Sequence, residues 1–308
     1  MFHVVLLNSS AGEDYLADLF ISALITCPNV CIYTNYIPQY LFDDYLEPES
    51  LYGRGYTAFC SVPAMIRASD RVRVIPASGI QRFISCQHRI GFYVCFTSIW
   101  RYSEEFHCYS GVDRPSNIKN LLVLDGEDEQ AIHQYAAHAD MYYKRELASA
   151  GPNLFPISFR IPASSLPLLT LGKRYVPQKT TLLAPCDPRY RPSYVFRNQA
   201  DYYRQYQSAF FAATTKKGGW DCLRHYEILA NHCLPYFPDI SCKPTLTMSD
   251  YPIRLQMQAN KLFESAVLSP RPLGANFRDE YTILLHSFLD YFYSSCLSHA
   301  YRNILTSS

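Results

Sequence analysis

Charged side chains crowd the segment KKGGWDCLRHYEILANHCLPYF, residues 216–237. Its basic members are Lys216, Lys217 and Arg224. Such side chains donate charge-assisted hydrogen bonds to phosphate groups. Gly218 and Gly219 carry no side chain that would keep a phosphate from the backbone, and the first turn of a helix adds N–H groups without an intrahelical partner. The segment therefore holds the donors that a diphosphate needs.

A carboxylate stands one helical turn beyond Arg224, at Glu227. It could accept hydrogen bonds from the vicinal hydroxyls of a ribose, so the segment combines phosphate donors with a ribose acceptor, as a nucleoside-diphosphate ligand requires. Tyr226 belongs to the same candidate set for binding this ligand. The spacing also permits a simpler interpretation, in which the lysines are solvated and Arg224 pairs with Glu227 at i, i+3.

A short helix must position these side chains. The pattern predicts Asp221 as its N-cap and Asn231 and His232 at its end. The residues that recur at helical spacing, and so predict the buried face, are Cys222, Leu223, Tyr226, Leu229 and Ala230. Glu227 is expected away from that face. The following CLPYF predicts a strand, so the unit is a basic glycine loop, a helix, a tight turn and a strand.

A second group of acids follows the apolar run LLVL: Asp125, Glu127, Asp128 and Glu129. Three interpretations are open. Asp125 and Glu127 have the spacing of the DxD site of metal-dependent transferases, the group could bind an acceptor or supply a general base, or it could cap a helix whose dipole favours negative charge. Asp14, after the first predicted strand, is another candidate base or else an acid of a first helical turn.

A third charged group, Lys144, Arg145 and Glu146, follows two tyrosines, and we expect it on a helix, as a solvated face or at a cleft. His133 and His138 are five residues apart, which does not suit two ligands on one helical face. GxSxG, HExxH and GxxxxGK[ST] are missing, so serine hydrolases, zincins and P-loop proteins are set aside. No GxGxxG follows a strand, so a nicotinamide or flavin enzyme is not expected.

The composition is that of a globular protein: 308 residues, 48% hydrophobic and 18% charged. A net charge of +1 does not favour a dedicated nucleic-acid-binding protein. The eleven cysteines form no CxxC pair, which argues against structural zinc, and many stand in apolar runs, as is usual in a reducing compartment. No apolar run reaches about 18 residues and MFHVVLLNSS lacks a positive n-region, so we expect a cytoplasmic protein without a membrane span.

The first half of the chain alternates strand-like and helix-like segments, from FHVVLL and YLADLFISALI to NLLVLDGEDEQAI. This alternation predicts a mostly parallel sheet flanked by helices. The second half repeats it on a smaller scale and ends in a long aromatic-rich helix. Prolines are dense between residues 152 and 192, and we place the connection near 164–173. The prediction is an α/β protein with two Rossmann-like domains, residues 1–165 and 166–308.

The segment GGWDCLRHYEILANHCLPYF resembles the nucleotide-sugar-binding segment of GT-B glycosyltransferases, especially exostosin-like, bacterial and viral relatives. Further pieces fit the same pattern in order along the chain: GEDYLADLF, LYGRGYT, LVLDGEDE, YYKRELA, PISFRIP, DYYRQYQSAFF and PTLTM. The resemblance thus spans most of the chain. It departs from the family at His232, where relatives prefer glycine, so that His232 either strains the turn or brings an imidazole to the cleft.

This resemblance implies a GT-B-like fold, in which the two domains face a cleft, the C-terminal one holding the sugar nucleotide and the N-terminal one the acceptor. By match, Glu227 binds the donor ribose, and Arg224 with Lys216 or Lys217 binds the diphosphate. The final helix is expected to cross back to the first domain. The implied activity is transfer of a hexosyl or pentosyl group from a nucleoside-diphosphate sugar to an acceptor hydroxyl, with no metal or further cofactor.

In such a reaction Arg224 stabilises the departing diphosphate, and Asp14 or Asp125 serves as the base if the mechanism inverts the anomeric centre. The acceptor is a glycan or a small molecule. Some viral transferases modify DNA bases instead, and a stripe of arginines in the first domain would suit DNA: Arg67, Arg71, Arg73, Arg82, Arg89 and Arg101. A catalytically silent protein that uses the same fold to bind sugar nucleotides or to assemble is the alternative from another class.

Overall fold

The computed structural model describes residues 2–8, 14–46, 59–86, 90–97, 120–162, 168, 175–269, 273–297, 301 and 304. The first unit is a seven-stranded sheet. Its strands are β1 (Phe2–Leu7), β2 (Val30–Thr34), β3 (Val72–Val74), β4 (Phe92–Phe96), β5 (Leu121–Asp125), β6 (Met141–Lys144) and β7 (Leu154–Pro156). Neighbouring strands are parallel throughout, in the order β3-β2-β1-β4-β5-β6-β7.

Both faces of this sheet are buried because apolar residues occupy consecutive positions in its central strands. In β1, Val4 and Leu6 belong to one core cluster, and Val5 and Leu7 belong to the other. The helices of this unit are α1 (Tyr15–Ile25) and α2 (Ala77–Cys86). Helix α1 packs into the first cluster and α2 into the second. A parallel sheet covered on both faces is the arrangement that continuous apolar runs predict.

The order β3-β2-β1-β4-β5-β6 is the doubly wound order of Rossmann-like sheets. The direction of winding reverses between β1 and β4, so the crevice for ligands is expected beyond the carboxyl ends of these two strands. Asn8 follows β1 and Thr97 follows β4, and both side chains are buried there. The α/β class and the Rossmann-like first unit predicted from the sequence are confirmed.

The second unit is a smaller parallel sheet. Its strands are β8 (Thr181–Leu183), β9 (Ala209–Ala213) and β10 (Leu234–Tyr236), in the order β10-β9-β8. Its crossovers are α3 (Gln199–Ser208), between β8 and β9, and α4 (Leu223–Ala230), between β9 and β10. This βαβαβ unit corresponds to one mononucleotide-binding half of a Rossmann fold. The predicted alternation of the second half is confirmed.

Two long helices, α5 (Ile253–Leu268) and α6 (Ala275–Tyr291), complete the described part of the second unit, and α6 continues into one π-helical turn at Phe292–Cys296. The chain then returns to the first unit. The N–H of Ile161 donates to the carbonyl of Cys296 at 2.7 Å, and the hydroxyl of Tyr301 donates to the carbonyl of Ser158 at 3.0 Å. The expected crossing of the final helical segment to the first unit is confirmed.

Two predicted helices are wrong. YYKRELA does not form a helix, because Met141–Lys144 is strand β6, which hydrogen-bonds to β5 on one side and β7 on the other. The acids after β5 cap no α-helix either, since residues 126–133 are irregular and a 3₁₀ helix, Gln134–His138, follows. At β6, pairing with the strands on either side outweighs a local pattern that favours helix. After β5, Asp125 and Asp128 pair with Lys144 and Arg145 instead of capping a helix.

The boundary predicted between residues 165 and 166 lies outside the described residues, so the domain division stays a prediction. Within the described ranges, no helix is long and apolar enough to cross a bilayer.

Candidate functional site

The carboxyl ends of the two sheets meet through the loops that follow β5, β6 and β9. Arg145, directly after β6, donates from Nε to the carbonyl of Gly126 at 3.0 Å and from Nη1 to the carbonyl of Asp221. Its Nη2 pairs with the carboxylate of Asp128. The side chain of Arg145 is 2% exposed. One buried guanidinium therefore joins three loops from the two units.

The glycine loop of residues 216–221, which contains Gly218 and Gly219, is held by a carboxylate of the first unit. Glu146 accepts hydrogen bonds from the N–H groups of Trp220 and Asp221, both at 3.0 Å, and from Nη1 of Arg145 at 2.9 Å. A Cβ atom at Gly219 would lie 2.5 Å from Oε1 of Glu146. Only glycine fits here, because the other unit approaches the backbone so closely.

Gly218 is confined in the same way, since a Cβ atom there would clash with the carboxylate of Asp128. The sequence suggested that the two glycines admit a phosphate. In the structure they admit carboxylates of the first unit instead, and donor binding by Gly218 and Gly219 stays a prediction.

Lys144, Arg145 and Glu146 correct a further expectation. A solvated charged face was one interpretation, but all three residues are at most 2% exposed. Burial is tolerated because each charge has a partner: Nζ of Lys144 lies 2.9 Å from Asp125, and Arg145 contacts Glu146 and Asp128. Arg145 and Glu146 contact the second unit, whereas Lys144 pairs within the first.

Asp221 does not cap helix α4. The N-cap is Cys222, without a side-chain hydrogen bond. The carboxylate of Asp221 instead accepts from the N–H of Phe159 at 2.9 Å and from the hydroxyl of Tyr226 at 2.7 Å. Burial raises the pKa of Asp221 to about 6, against the opposing charge of Arg145. Tyr226 thus ties the helix to the contact between the units, and its role in donor binding stays a prediction.

Asp125, one of the two candidate bases, is enclosed at the end of β5. Its Oδ1 lies 2.9 Å from Nζ of Lys144 and accepts from the N–H of Glu127 at 3.0 Å, while Oδ2 accepts from the hydroxyl of Tyr142 at 2.5 Å. Burial and the charge of Asp125 raise the pKa of that tyrosine far above its ordinary value. Asp125 itself is 2% exposed. In the part of the chain that the structure describes, no three His, Cys, Asp or Glu residues gather as a metal site.

Asp14, the other candidate base, is the N-cap of α1 and accepts from the N–H of Ala17 at 3.0 Å. This is the first-turn position that the alternative interpretation gave it. A Cβ atom at Gly126 would lie 3.2 Å from Oδ1 of Asp14. Asp14 is therefore beside the loop that follows Asp125, so the two candidate bases lie at one edge of the first sheet. A catalytic role for either stays a prediction.

Arg224 is the unusual residue of the second unit. It is 8% exposed, yet its Nε and Nη1 atoms have no hydrogen-bond partner within the described chain. It forms no ion pair there with Glu227, contrary to the simpler interpretation. A buried guanidinium with unmade hydrogen bonds is costly, by about 1 to 3 kcal/mol for each unpaired group. It is also the arrangement expected of a donor group that awaits an anionic ligand.

Two further buried hydrogen-bond donors lie near Arg224 and Cys186. The hydroxyl of Tyr194 and Nε2 of Gln205 are both buried and make no close hydrogen bond in the described chain, although Tyr194 interacts with Arg224 and Cys186, and Gln205 with Cys186. Oε1 of Gln205 accepts from the N–H of Cys186 at 3.0 Å. Burial raises the pKa of Tyr194 to about 12, against the opposing charge of Arg224. Burial and the same charge lower the pKa of Lys217. The cluster offers hydrogen-bond donors on several sides and suits a ligand rich in acceptors.

Lys216 and Lys217 each lie over an aromatic ring. Nζ of Lys216 is 5.8 Å from the ring centre of Trp220, and Nζ of Lys217 is 5.2 Å from that of Tyr194. Lys217 therefore lies within the Arg224 cluster, whereas Lys216 lies on the side of the glycine loop. Their binding of a diphosphate stays a prediction.

Glu227 is buried, which corrects its expected place away from the apolar face. It is 5% exposed, and its Oε2 accepts from the hydroxyl of Tyr202 at 3.4 Å, which in turn accepts from Tyr206 at 2.6 Å. Burial raises the pKa of Glu227 to about 8, although Arg224 and Tyr202 oppose the shift. The carboxyl faces tyrosines of α3, and its contact with a donor ribose stays a prediction.

His232 strains the turn and does not bring an imidazole to a cleft. Its φ of 53° is in the left-handed region, as expected where relatives have glycine. The ring is fully buried, and Nδ1 donates to the carbonyl of Tyr175. The carbonyl of His232 accepts from Nζ of Lys179 at 2.7 Å and from the hydroxyl of Tyr281 at 3.1 Å. These contacts hold a conformation that a histidine rarely adopts.

The arginine stripe proposed for DNA is partly engaged elsewhere. Arg67 pairs with Asp44, and Arg71 donates to the carbonyl of Cys27. Arg89 and Arg101 lie outside the described residues.

Tyr194 and Gln205 were not predicted from the sequence as members of the site. Tyr194 follows a proline-rich loop, and Gln205 sits in a helix whose pattern indicates only amphipathic packing. Neither position carries a local signal, because the site forms only when β8, α3 and α4 pack together.

Comparisons with known proteins give a similar solved structure. No known family model matches the sequence, and no curated protein does. Among solved structures, MurG of Acinetobacter baumannii is similar over 99% of this chain and 98% of its own, with a TM-score of 0.42 and 10% sequence identity. The resemblance of residues 216–237 to exostosin-like glycosyltransferases stays a prediction.

Proposed function

We propose that the protein is a glycosyltransferase that moves a sugar from a nucleoside-diphosphate donor to an acceptor hydroxyl. The observation that carries the proposal is the buried guanidinium of Arg224, whose Nε and Nη1 lack partners in the described chain at the carboxyl edge of a parallel sheet. Ligands of such sheets bind beyond the carboxyl ends of the strands. Tyr194 and Lys217 extend the donor set around the same point.

The diphosphate is the part of the donor that this cluster fits. Its oxygens would satisfy the unpaired N–H groups of Arg224 and the hydroxyl of Tyr194, and its charge would balance a cation that now lies buried without an ion-pair partner in the described chain. As the glycosidic bond breaks, negative charge develops on the departing diphosphate, and fixed donors stabilise it in the transition state. We propose Arg224 as the main source of this stabilisation.

The acceptor belongs at the first sheet in this proposal. Asp14 and Asp125 lie at the carboxyl edge of that sheet, where a carboxylate could take the proton of an acceptor hydroxyl in an inverting reaction. In a retaining reaction the departing phosphate could take that proton. A glycan or a small molecule is the proposed acceptor.

Binding measurements test the proposal. UDP-, GDP- and CDP-glucose should raise the unfolding temperature of the wild-type protein, and one of them should do so more than the others. Arg224→Met keeps an unbranched side chain of similar length but removes the donors, and should weaken that binding on the order of 100-fold. Arg204→Ala is the control, because the side chain of Arg204 is 72% exposed and pairs with Asp201 at the surface. Unchanged affinity in a folded Arg224→Met protein would refute the site.

A catalytically silent sugar-nucleotide-binding protein is the second candidate, and one observation favours it. Both oxygens of the Asp125 carboxylate are already in contact with Lys144 or Tyr142, so an acceptor hydroxyl would have to displace one of these contacts. Hydrolysis and transfer assays separate the two functions. Stabilisation by a sugar nucleotide without release of the nucleoside diphosphate supports the silent protein, whereas turnover that is lost in Arg224→Met supports the enzyme.

A further inference from the structure

Two buried ionisable groups lie one turn apart on helix α4. Arg224 and Glu227 are 8% and 5% exposed, and no ion pair joins them in the described chain. Glu227 instead receives one long hydrogen bond, from Tyr202. The helix therefore buries a cation without a partner next to a carboxyl group that lacks strong hydrogen-bond donors.

The surroundings of Glu227 contain few other charges. The titratable groups that act on it from α3 are the hydroxyls of Tyr202, Tyr203 and Tyr206, and the one on its own helix is Arg224. All three hydroxyls are neutral at ordinary pH, since burial holds each pKa well above its usual value. Within the described residues, Arg224 thus supplies the charge that favours the ionised form of Glu227.

We propose that an anionic ligand bound at Arg224 is accompanied by the uptake of a proton from solvent by Glu227. The inference rests on the proposed function only in that a sugar nucleotide is the expected anion. The proton adds to a carboxylate oxygen of Glu227, and no other bond is made or broken in the protein.

The physical reason is the loss of electrostatic support. Arg224 lowers the pKa of Glu227, which burial raises to about 8. A bound anion neutralises Arg224 and places its own negative charge nearby, and both changes disfavour the ionised carboxylate. The pKa of Glu227 therefore rises further in the complex. Proton uptake is expected above pH 8, where the carboxyl is ionised before binding, and not at pH 6.5, where it is already protonated.

Calorimetry measures the uptake directly. The sugar nucleotide of highest affinity among UDP-, GDP- and CDP-glucose is titrated at pH 8.5 in Tris and in bicine, which ionise with different enthalpies, and at pH 6.5 in MES and in imidazole. The phosphodiester groups of these probes do not titrate in this range. With a pKa of about 8 for the free protein, roughly 0.7 proton per ligand is expected at pH 8.5, and the affinity should be about fourfold lower than at pH 6.5.

Two variants identify the group that takes up the proton. Glu227→Gln reproduces the neutral form, so it should bind without uptake and with equal affinity at the two pH values. Tyr202→Phe removes the hydroxyl that donates to Glu227, which raises the pKa of the carboxyl, so uptake at pH 8.5 should be smaller than in the wild-type protein. A merely structural role of either side chain would leave the proton count unchanged, and Tyr202→Phe keeps the test available if Glu227→Gln fails to fold.

The outcomes separate this inference from the proposed function. Binding without uptake at pH 8.5, or uptake that persists in Glu227→Gln, overturns the proton linkage and leaves the proposed function intact. Absence of binding by all three sugar nucleotides overturns the proposed function. Sodium sulfate, fully ionised at both pH values, then replaces them, and the same fourfold weakening between pH 6.5 and pH 8.5 in thermal-shift titrations supports the linkage. A protein that binds neither probe overturns both.

Discussion

Replacing Glu146 with alanine should destabilise the contact between the two units more than replacing an exposed charged residue would. The substitution removes the acceptor for three buried donors: the N–H groups of Trp220 and Asp221 and Nη1 of Arg145. It also removes one of the two carboxylates that pair with Arg145, and the remaining one, Asp128, is 58% exposed. Each unpaired donor costs about 1 to 3 kcal/mol, and removing one partner of a buried ion pair about 3 to 5 kcal/mol in all.

We therefore expect the free energy of unfolding of Glu146→Ala to fall by about 3 to 5 kcal/mol. Urea denaturation followed by tryptophan fluorescence is a suitable assay, because Trp220 itself lies in the loop that Glu146 holds. Glu146→Gln keeps the volume and one oxygen acceptor, so its loss should be smaller.

Arg204→Ala is the matched control for this measurement. Its ion pair with Asp201 is largely exposed, and such pairs contribute less than about 1 kcal/mol. A loss in Glu146→Ala no larger than in this control would show that the hydrogen bonds to the glycine loop do not stabilise the protein, and would refute the reasoning.

Three further predictions concern the glycine loop, Arg224 and Glu227. Gly219→Ala should cost about 1 to 3 kcal/mol in urea denaturation, because its Cβ would meet Glu146 at 2.5 Å, whereas Gly79→Ala, with 3.8 Å to its nearest neighbour, should be neutral or stabilising. Arg224→Met should raise the stability of the ligand-free protein, since it removes a buried charge with unmade hydrogen bonds; a clear loss of stability would argue that the charge is balanced within the fold. The pKa of Glu227, raised from 4.5 to about 8, means that the native state binds more protons than the unfolded state in this window. Stability should therefore fall as pH rises from 4.5 to 8, by about 4 to 5 kcal/mol in total, and this slope should vanish in Glu227→Gln; a slope that persists would place the titration elsewhere.

The elements that the sequence predicts well are those with strong local periodicity. The strand β1 and the helix α1 each depend on residues within about 15 positions, and both are found as predicted. The same alternation predicts a mostly parallel sheet, but it does not by itself give the order of the strands.

The residues that were misplaced are those whose partners are distant in the chain. Asp221 has the local features of an N-cap, yet its carboxylate binds the N–H of Phe159, 62 residues away. Glu146 follows a pattern that favours helix, but its partners Trp220 and Asp221 are 74 and 75 residues away. No periodicity encodes such pairs, so a charged side chain that closes a contact between units has the same sequence signature as a solvated one.

Residues 216–237 make two sets of contacts, on different sides of helix α4. Asp221 and Tyr226 bind each other and face the first unit, whereas Arg224 and Glu227 face the tyrosines of α3. Glu146 occupies the glycine loop, so the phosphate of a sugar nucleotide would not bind there. The N–H groups available to it are those of Arg224. The contact between the units and the proposed anion site thus both include helix α4, but they use different side chains of it. Ligand binding at Arg224 is therefore expected to leave the Glu146 contacts in place and to act first on the protonation of Glu227.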